Sequence, residues 1–313
     1  MTDVLRVKAP GLFTTIQDLG RPHAIASGVP PGGAMDRFAH SAANLLVSND
    51  RGAATLECTL AGPHLVVERP SILAITGGDL DPRVNGAQVQ MWSAISLRAG
   101  DELTFGGRRG GARAYLAVAG GVVGDRWLGS MSTNVMAGRG GMRGRPLTKG
   151  DVIRAGEPLT PPAAHHAFAP DMVPPYADHT LRVIAGPHAD HLSPDMRESL
   201  FRSDFVLTRD SNRMGFRLEG PRLDVSGGEV LSFGLVAGAL QVPGGGMPIL
   251  LMADHQTAGG YPVVATVISA SMPVAAQLAP GDAVRFAETS IEDALEMRAA
   301  QREALESLES LTS

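Results

Sequence analysis

Short apolar runs separated by glycine, proline and aspartate turns dominate the first half of the chain. Their valine, isoleucine and leucine content is typical of strands in barrels and sandwiches. Asn85-Gly86 between two runs is typical of a hairpin turn. We therefore predict a mainly β structure with strands at VLRVKAP, ATLECTL, HLVVE, SILAITG, AQVQM, AISLRAGDELTFG and RAYLAVAGGVV.

Helical periodicity is found in two places. In residues 35–50 the apolar side chains recur at helical spacing and share one face. Near the C-terminus, Thr289-x-x-Glu292 has the pattern of a capping box, and the apolar positions that follow fit an amphipathic helix over 289–313. We expect this last helix to lie against the body of the protein.

The second half of the chain repeats features of the first half. A Leu-x-x-Gly-Asp pattern occurs at 97–101, 147–151 and 278–282, and each Gly-Asp is expected to form a tight turn before a strand. LECTLAGPHLVV at 56–67 also resembles RLEGPRLDV at 217–225. This order indicates two related β-domains.

Residues 156–179 are rich in proline and alanine and have no clear period, which indicates a connection between the domains. His165 and His166 fall inside it, where we expect them to be solvated. The predicted organisation is a first β-domain over 1–165, a linker over 166–180, a second β-domain over 181–288 and a terminal helix over 289–313.

Composition excludes several classes of protein. The formal net charge is −5, and no long Lys/Arg stripe is present, which argues against a nucleic-acid partner. Cys58 is the only cysteine, so neither a disulfide framework nor a cysteine-based zinc site is expected, and its apolar run predicts a buried, inert thiol. With no signal core and no membrane-length apolar run, we expect a cytoplasmic protein that does not bind membranes.

Four stretches are too polar and too rich in glycine for ordinary core. In the densest, LLMADHQTAGGYP at 250–262, a strand-like start is followed by Asp, His, Gln and Thr in consecutive positions. Neighbours in a strand face opposite sides, whereas a turn would let all four converge. With TTIQDLGRP, GVPPGGAMD and SNRMGFRLEG, these stretches supply the candidate site residues Gln17, Asp18, Arg21, Gly32, Gly33, Asp36, Arg213, Asp254, His255, Gln256, Thr257, Gly259, Gly260 and Tyr261.

Several candidates also have a simpler structural interpretation. Asp18 and Arg21 would form an ion pair, Asp36 would interact with the first turn of its helix, and His255 would be a satisfied core histidine. The density of polar groups, followed by two glycines that leave room for a substrate or a second chain, favours a site. No phosphate-binding loop, dinucleotide fingerprint or Gly-x-Ser-x-Gly elbow is present, and no metal site is expected.

The ordered motifs TTIQDLGR, GVPPGGAMD, AANLLVSN, LAVAGG, NRMGFRLEGP, PILLMADHQTAGGYP and QLAPGD resemble the biotin-dependent carboxyltransferase-like family. That family includes allophanate hydrolase subunit 2, part of the urea carboxylase carboxyltransferase domain, the C subunit of bacterial 5-oxoprolinase and the antagonist of a sporulation-kinase inhibitor. The resemblance implies two cyclophilin-like β-barrel domains. It also implies a heteromer with a kinase-inhibitor-like subunit of the allophanate hydrolase subunit 1 type.

The chain departs from the usual family pattern at three positions. Gly32 stands where serine is common, Ala258 where a second threonine is common, and Met131 where arginine is usual. These departures leave the substrate open. The chain has no biotin-accepting Ala-Met-Lys-Met, so any carboxybiotin would come from another chain.

The resemblance favours the C subunit of an ATP-dependent 5-oxoprolinase, which opens 5-oxo-L-proline to L-glutamate together with the kinase-inhibitor-like subunit and a lactam-utilisation-type subunit. ATP would bind at an unassigned site or on a partner. One alternative is a carboxyltransferase component that uses carboxybiotin with urea or a related amide. Another is a non-catalytic regulator that binds the kinase-inhibitor-like partner.

Lactam opening requires carbonyl activation, oxyanion stabilisation and a proton for the leaving nitrogen. We expect His255 to be the acid/base, because an imidazole exchanges protons near neutral pH, with Asp254 or Asp18 orienting it.

The remaining candidates would bind the substrate. Arg21 and Arg213 would hold a carboxylate or phosphate, and the N–H groups at Gly259-Gly260 or Gly32-Gly33 would receive the oxyanion. These roles assume that loops of both domains meet in one pocket.

Overall fold

The computed structural model describes residues 1–158, 167–227 and 230–312. The chain divides into two compact units, here called unit 1 and unit 2. Unit 1 comprises Met1–Arg21, Gly32–Tyr176 and Gln301–Ser313, and unit 2 comprises Pro22–Pro31 and Ala177–Ala300. Both are built mainly from strands, which confirms the predicted fold class. The predicted boundary at residue 165, with His165 and His166, lies outside the described residues.

Unit 1 contains two sheets and one α-helix of its own. One sheet has the order β11-β12-β1-β4-β9-β6-β7 and the other the order β2-β3-β10-β5-β8. The elements are β1 Thr2–Ala9, β2 Phe13–Gln17, α1 Arg37–Leu46, β3 Thr55–Thr59, β4 His64–Val67, β5 Ser71–Asp79, β6 Pro82–Val84, β7 Ala87–Gln88, β8 Ala94–Leu97, β9 Glu102–Phe105, β10 Gly110–Val118, β11 Val122–Val123 and β12 Val152–Ala155.

Strand β3 separates an apolar layer from a polar one. Leu56 and Cys58 point into the main core of unit 1, and Cys58 is fully buried. Burial raises the pKa of the Cys58 thiol to about 12, in agreement with the predicted inert thiol. Glu57 faces the opposite way, because successive strand residues alternate. Its neighbours across the sheet are Thr15 on β2 and Tyr115 on β10.

The three Leu-x-x-Gly-Asp patterns form the same turn. The glycines Gly100, Gly150 and Gly281 have φ angles of 89°, 92° and 94°, which glycine adopts without steric cost. In each turn the aspartate carboxylate accepts a hydrogen bond from the backbone N–H three residues earlier, at 2.7, 2.7 and 2.8 Å. Strands β9, β12 and, in unit 2, a strand over Ala283–Glu288 follow directly. The sequence repeat therefore encodes a repeated turn.

Unit 2 is a closed barrel of order β13-β20-β17-β18-β15-β14-β21, with a separate β16-β19 pair. The barrel closes because β13 pairs antiparallel with β20 on one side and parallel with β21 on the other. The elements are β13 Thr180–Ala185, α2 Pro194–Arg202, β14 Phe205–Leu207, β15 Gly215–Glu219, β16 Phe233–Gly234, β17 Ala239–Gln241, β18 Ile249–Leu251, β19 Ala258–Gly259, β20 Val263–Val267, α3 Met272–Ala276 and β21 Ala283–Glu288.

The C-terminal helix, α4, spans Ile291–Thr312 as its periodicity predicts. Its cap is Ser290 and not Thr289, since the Ser290 hydroxyl accepts a hydrogen bond from the N–H of Asp293 at 3.0 Å. The serine is closer to the first turn, so it satisfies a donor that the helix leaves open. In the described part of the chain, no helix is long and apolar enough to cross a membrane.

Candidate active site

The chain turns immediately after β18, so the Asp-His-Gln-Thr segment at 254–257 forms a turn and not a continued strand. The N–H of Asp254 donates to the carbonyl of Arg213 at 2.8 Å, and the N–H of His255 donates back to the carbonyl of Met252 at 3.1 Å. The segment therefore does not continue the alternation of a strand. The turn fixes Asp254 and His255 beside the loop that carries Arg213.

Arg213 and Asp254 form a two-contact ion pair. The Nε of Arg213 lies 2.8 Å from Oδ2 of Asp254, and its Nη2 lies 3.3 Å from Oδ1. The two side chains are only 11% and 17% exposed, so water screens the pair weakly. The predicted roles change accordingly. Arg213 is engaged by Asp254 rather than presented to a substrate anion, and the carboxylate of Asp254 is directed at Arg213.

His255 is 1% exposed, and a main-chain carbonyl orients it. Its Nδ1 lies 2.7 Å from the carbonyl oxygen of Gln256, so Nδ1 carries the proton and donates it. The predicted orientation by Asp254 is replaced by this contact. Burial lowers the pKa of His255, opposed by the Gln256 carbonyl and the charge of Asp254. The ring is therefore neutral at pH 7, with the lone pair on Nε2.

The glycines after this segment are sites of close packing. A Cβ on Gly260 would lie 2.8 Å from the carbonyl oxygen of Val230, whose own N–H donates to the carbonyl of Gly260 at 3.0 Å. A Cβ on Gly259 would meet Leu235. Thr257 accepts a backbone hydrogen bond from Leu235 at 3.0 Å, and Tyr261 is 39% exposed.

In unit 1, Asp18 organises a loop that the sequence reasoning left out of the site. Its carboxylate accepts hydrogen bonds from the hydroxyls of Ser130 and Ser132 and from the N–H of Met131, each at 2.6 Å, and from the N–H of Gly20 at 2.7 Å. Burial raises the pKa of Asp18, but these four donors outweigh it, and the net pKa is lowered. Asp18 is thus an ionised structural anchor. In the sequence, the polar SMST motif at 130–133 is the feature that indicates this loop.

Arg21 is fully buried and fastens the same loop. Its guanidinium donates to the carbonyls of Ser132 and Trp127 and lies 4.9 Å from the centre of the Trp127 ring, an arrangement suited to a cation–π contact. The guanidinium is therefore engaged by this loop, and its role in holding a substrate anion stays a prediction. Gln17, also fully buried, donates to Thr15 at 3.0 Å and to the carbonyl of Thr133 at 3.3 Å.

The Gly32-Gly33 stretch and Asp36 also have structural roles. A Cβ on Gly33 would lie 2.8 Å from the carbonyl carbon of Leu19, so the glycine permits close backbone packing. Asp36 is the cap of α1, and it accepts from the N–H of Ala39 at 2.9 Å. Its other oxygen accepts from the hydroxyl of Tyr176 at 2.7 Å. Asp36 is fully buried and caps its helix, as its simpler interpretation predicts, and its role as a substrate ligand stays a prediction.

A buried carboxylate next to this cap was also missed. Glu57 accepts from the hydroxyl of Tyr115 at 2.8 Å and from the N–H of Met35 at 2.9 Å, and the Tyr115 oxygen accepts from the N–H of Asp36 at 2.7 Å. Burial raises the pKa of Tyr115, helped by the charges of Glu57 and Asp36. In the sequence, Glu57 is the only charged residue of the apolar run LECTL, and this feature indicates a buried carboxylate. This network holds the start of α1 against β3 and β10.

A cavity of about 500 Å³ lies beside Asp18 in unit 1, a volume typical of small-molecule sites. The charged residues that line it are Asp18, Asp50 and Arg126. The glycines that line it are Gly20, Gly52, Gly120, Gly121 and Gly129. Among the described residues, no group of three or more His, Cys, Asp or Glu side chains is arranged to hold a metal ion.

Three comparisons with known proteins bear on this arrangement. The C subunit of Escherichia coli K12 5-oxoprolinase is 36% identical over 97% of this chain and 97% of its own length. Urea amidolyase of Lachancea kluyveri is 33% identical over 97% of this chain but only 18% of that protein. The crystal structure of Kluyveromyces lactis urea carboxylase, 30% identical, matches with a TM-score of 0.91 over 98% of this chain and 29% of that one.

The family described as carboxyltransferase domain, subdomain A and B, matches residues 27–288. That match includes residues of both units, and the similarity to the Escherichia coli relative extends over 97% of the chain. The chain therefore belongs to the carboxyltransferase-domain family, subdomains A and B.

Proposed function

We propose that this chain is the C subunit of a 5-oxoprolinase, and that its complex uses ATP to open 5-oxo-L-proline to L-glutamate. The observation that carries the proposal is the identity of 36% to the corresponding Escherichia coli protein over 97% of both chains. The urea amidolyase relative is less similar, at 33% identity, and is matched over only 18% of its length.

The geometry of unit 2 supports a proton-transfer role for His255. Its Nδ1 proton is committed to the Gln256 carbonyl, which leaves Nε2 as the acceptor. A neutral buried imidazole is a suitable general base, because its lone pair is not protonated at pH 7. In the proposed step, Nε2 accepts a proton from a water molecule as its oxygen bonds to the lactam carbonyl carbon, and returns that proton to the ring nitrogen as the carbon–nitrogen bond breaks.

The Arg213–Asp254 pair would position this imidazole. The pair joins the loop before β15 to the turn that precedes His255, and the backbone bond between Asp254 and Arg213 reinforces it. Removing either side chain would release the turn that fixes the direction of Nε2. We therefore assign both residues a positioning role.

ATP and two further subunits are parts of the proposal, with no residues of this chain assigned to them. The partners are a kinase-inhibitor-like subunit of the allophanate hydrolase subunit 1 type and a lactam-utilisation-type subunit. A cytoplasmic complex would give them access to ATP.

The test is co-expression of the chain with these two subunits, followed by measurement of glutamate released from 5-oxo-L-proline with and without ATP. The complex should release glutamate only with ATP, and His255→Ala should reduce turnover by about 100-fold or more. The matched control is His179→Ala, since the Nδ1 of His179 in unit 2 also lies 3.0 Å from a main-chain carbonyl. Equal turnover in the two variants would remove His255 from the mechanism.

A second candidate is a carboxyltransferase that uses carboxybiotin, supplied by another chain, with urea or a related amide. The match to Kluyveromyces lactis urea carboxylase favours it. Both reactions act on a planar carbonyl–nitrogen group, so one site would serve either. Urea-dependent loss of carboxybiotin without glutamate release would select this function. A purified complex with neither activity would indicate a regulator.

A further inference from the structure

A short turn in unit 1, over residues 134–139 and here called the 134–139 turn, presents an apolar tip to solvent. An antiparallel bridge between Asn134 and Arg139 closes it, with main-chain hydrogen bonds of 2.8 and 3.1 Å. At the tip, Val135 is exposed and Met136 is 82% exposed. An isolated exposed apolar side chain is common on protein surfaces. Here two adjacent ones lie on a turn that the protein holds in place.

Buried polar groups hold the two ends of the 134–139 turn. The N–H and the hydroxyl of Thr133 both donate to the carbonyl of Ile16 at 2.9 Å, and the carbonyl of Thr133 accepts from Gln17 at 3.3 Å. The returning chain packs on the same residue, since a Cβ on Gly141 would collide with the Thr133 hydroxyl. A turn fixed in this way loses little freedom when it binds a partner, which favours binding.

The apolar tip is flanked by arginines. Arg139 closes the turn, and the chain next to Arg143 packs on it, because a Cβ on Gly144 would collide with the backbone of Gly138 and Arg139. Both arginines are exposed, and neither has a carboxylate partner among the described residues. Over residues 125–143, three arginines stand against one aspartate. A complementary surface would therefore be apolar and acidic.

The first turns of α4 have this character, and their exposed side is here called the α4 face. Ile291 and Leu295 are 61% and 58% exposed and lie one helical turn apart on the same side. Glu292 and Glu296 form an acidic row beside them, and in the part of the chain that the structure describes neither has a basic partner. The second half of α4 makes the core contact, through the buried Leu308.

We propose that the 134–139 turn of one copy of this chain binds the α4 face of a second copy, with Met136 against Ile291 and Leu295 and with Arg139 opposite Glu296. A second copy is the partner because the chain itself carries two apolar surfaces of opposite charge. The apolar contact supplies affinity, and the charges fix the orientation. Each contact joins two unlike surfaces, so it is heterologous.

The main test is a charge exchange in the full chain, measured by analytical ultracentrifugation over a range of concentrations. The wild-type chain should self-associate. Arg139→Glu and Glu296→Arg should each raise the dissociation constant by about tenfold or more, because each places like charges at the contact. An equimolar mixture of the two variants should associate again, since every contact between unlike variants then joins opposite charges.

A second variant tests the apolar part of the contact. Met136→Ser should also raise the dissociation constant by about tenfold or more, because the methionine would no longer be buried against the helix. Its free energy of unfolding should stay at the wild-type value, since Met136 is exposed within one copy. Leu12→Ser and Arg69→Glu are the matched controls. Both residues are exposed in unit 1 outside the two surfaces, so these variants should associate as wild type does.

Three results would overturn the proposal. The first is a wild-type chain that stays monomeric at every concentration. The second is a mixture of Arg139→Glu and Glu296→Arg that associates no better than either variant alone. The third is a loss of binding to a different subunit in Met136→Ser with self-association unchanged, which would show that the 134–139 turn binds that subunit and not a second copy.

Discussion

Acidification should destabilise unit 1 through the protonation of one buried histidine, His40 on α1. His40 is fully buried, its Nδ1 lies 2.9 Å from the hydroxyl oxygen of Thr55, and its Nε2 lies 3.4 Å from the amide nitrogen of Asn44. The Asn44 oxygen accepts from Asn49 at 3.0 Å, so its nitrogen must face the ring. A proton on Nε2 of His40 would therefore point at the amide N–H group of Asn44, which is also a donor and cannot accept it.

Burial lowers the pKa of His40 from 6.5 to about 4; the charges of Asp18 and Glu57 oppose this change and that of Arg37 adds to it. The two pKa values differ by about 2.5, and each pKa unit corresponds to about 1.4 kcal/mol, so the effect is about 3 kcal/mol. Because the folded-state pKa is the lower one, the unfolded state binds the proton first as the pH falls. The stabilisation is complete above pH 6.5 and is lost between about pH 6.5 and pH 4.

The assay is urea unfolding followed by tryptophan fluorescence at several pH values across this window. Both tryptophans, Trp92 and Trp127, belong to unit 1, so the signal reports that unit. His40→Asn removes the titrating group and keeps a donor toward Thr55. It should be less stable than wild type at pH 7.5, yet lose about 3 kcal/mol less on acidification to pH 4.

His23→Asn is the control, since His23 is exposed and should leave the wild-type pH dependence in place. Parallel stability curves for His40→Asn and wild type would refute the argument. They would show that the acid sensitivity of unit 1 comes from other groups.

Two further predictions concern buried polar and thiol groups. Arg213→Met should lower the free energy of unfolding by about 2 kcal/mol, because it leaves the weakly exposed carboxylate of Asp254 without its cation. In denaturant titrations, the double variant Arg213→Met/Asp254→Leu should recover most of that loss, because it also removes the unpaired carboxylate. If the double variant is no more stable than the single one, the ion pair is not what the substitution removed. Cys58 should react with a thiol reagent at pH 8 only after unfolding, since it is fully buried with a pKa of about 12, and prompt reaction of the native protein would contradict this.

The partners of Asp18 and Arg21 could not be predicted from the sequence. From the polar TTIQDLGR stretch, Asp18 is expected to orient His255 or to pair with Arg21, and Arg21 to hold a substrate anion. In the structure both bind the loop over residues 130–133, more than a hundred positions away in the chain. A local motif shows that a carboxylate and a guanidinium are required. It does not show whether their partners are ligands or distant parts of the same chain.

The conformation of residues 254–257 also could not be predicted from the sequence. The sequence left two possibilities for Asp254 to Thr257, alternation along a strand or convergence in a turn. The backbone bonds to Arg213 and Met252 select the turn, and Arg213 comes from a loop that pairs with this one only in the folded barrel. Gln241 stands alone in an apolar strand, and only the folded barrel places it beside Gln256.

By itself, the sequence determined the features that depend on a few consecutive residues: the strand-rich fold, the Gly-Asp turns with their positive φ angles, helices α1 and α4, and the inert thiol in an apolar run. These follow from backbone sterics and side-chain periodicity, which act over one or two turns of chain. Only the tertiary structure decided which charged side chains pair and which nitrogen of His255 binds the Gln256 carbonyl. Those properties depend on distances between residues far apart in sequence, and strand pairing sets those distances.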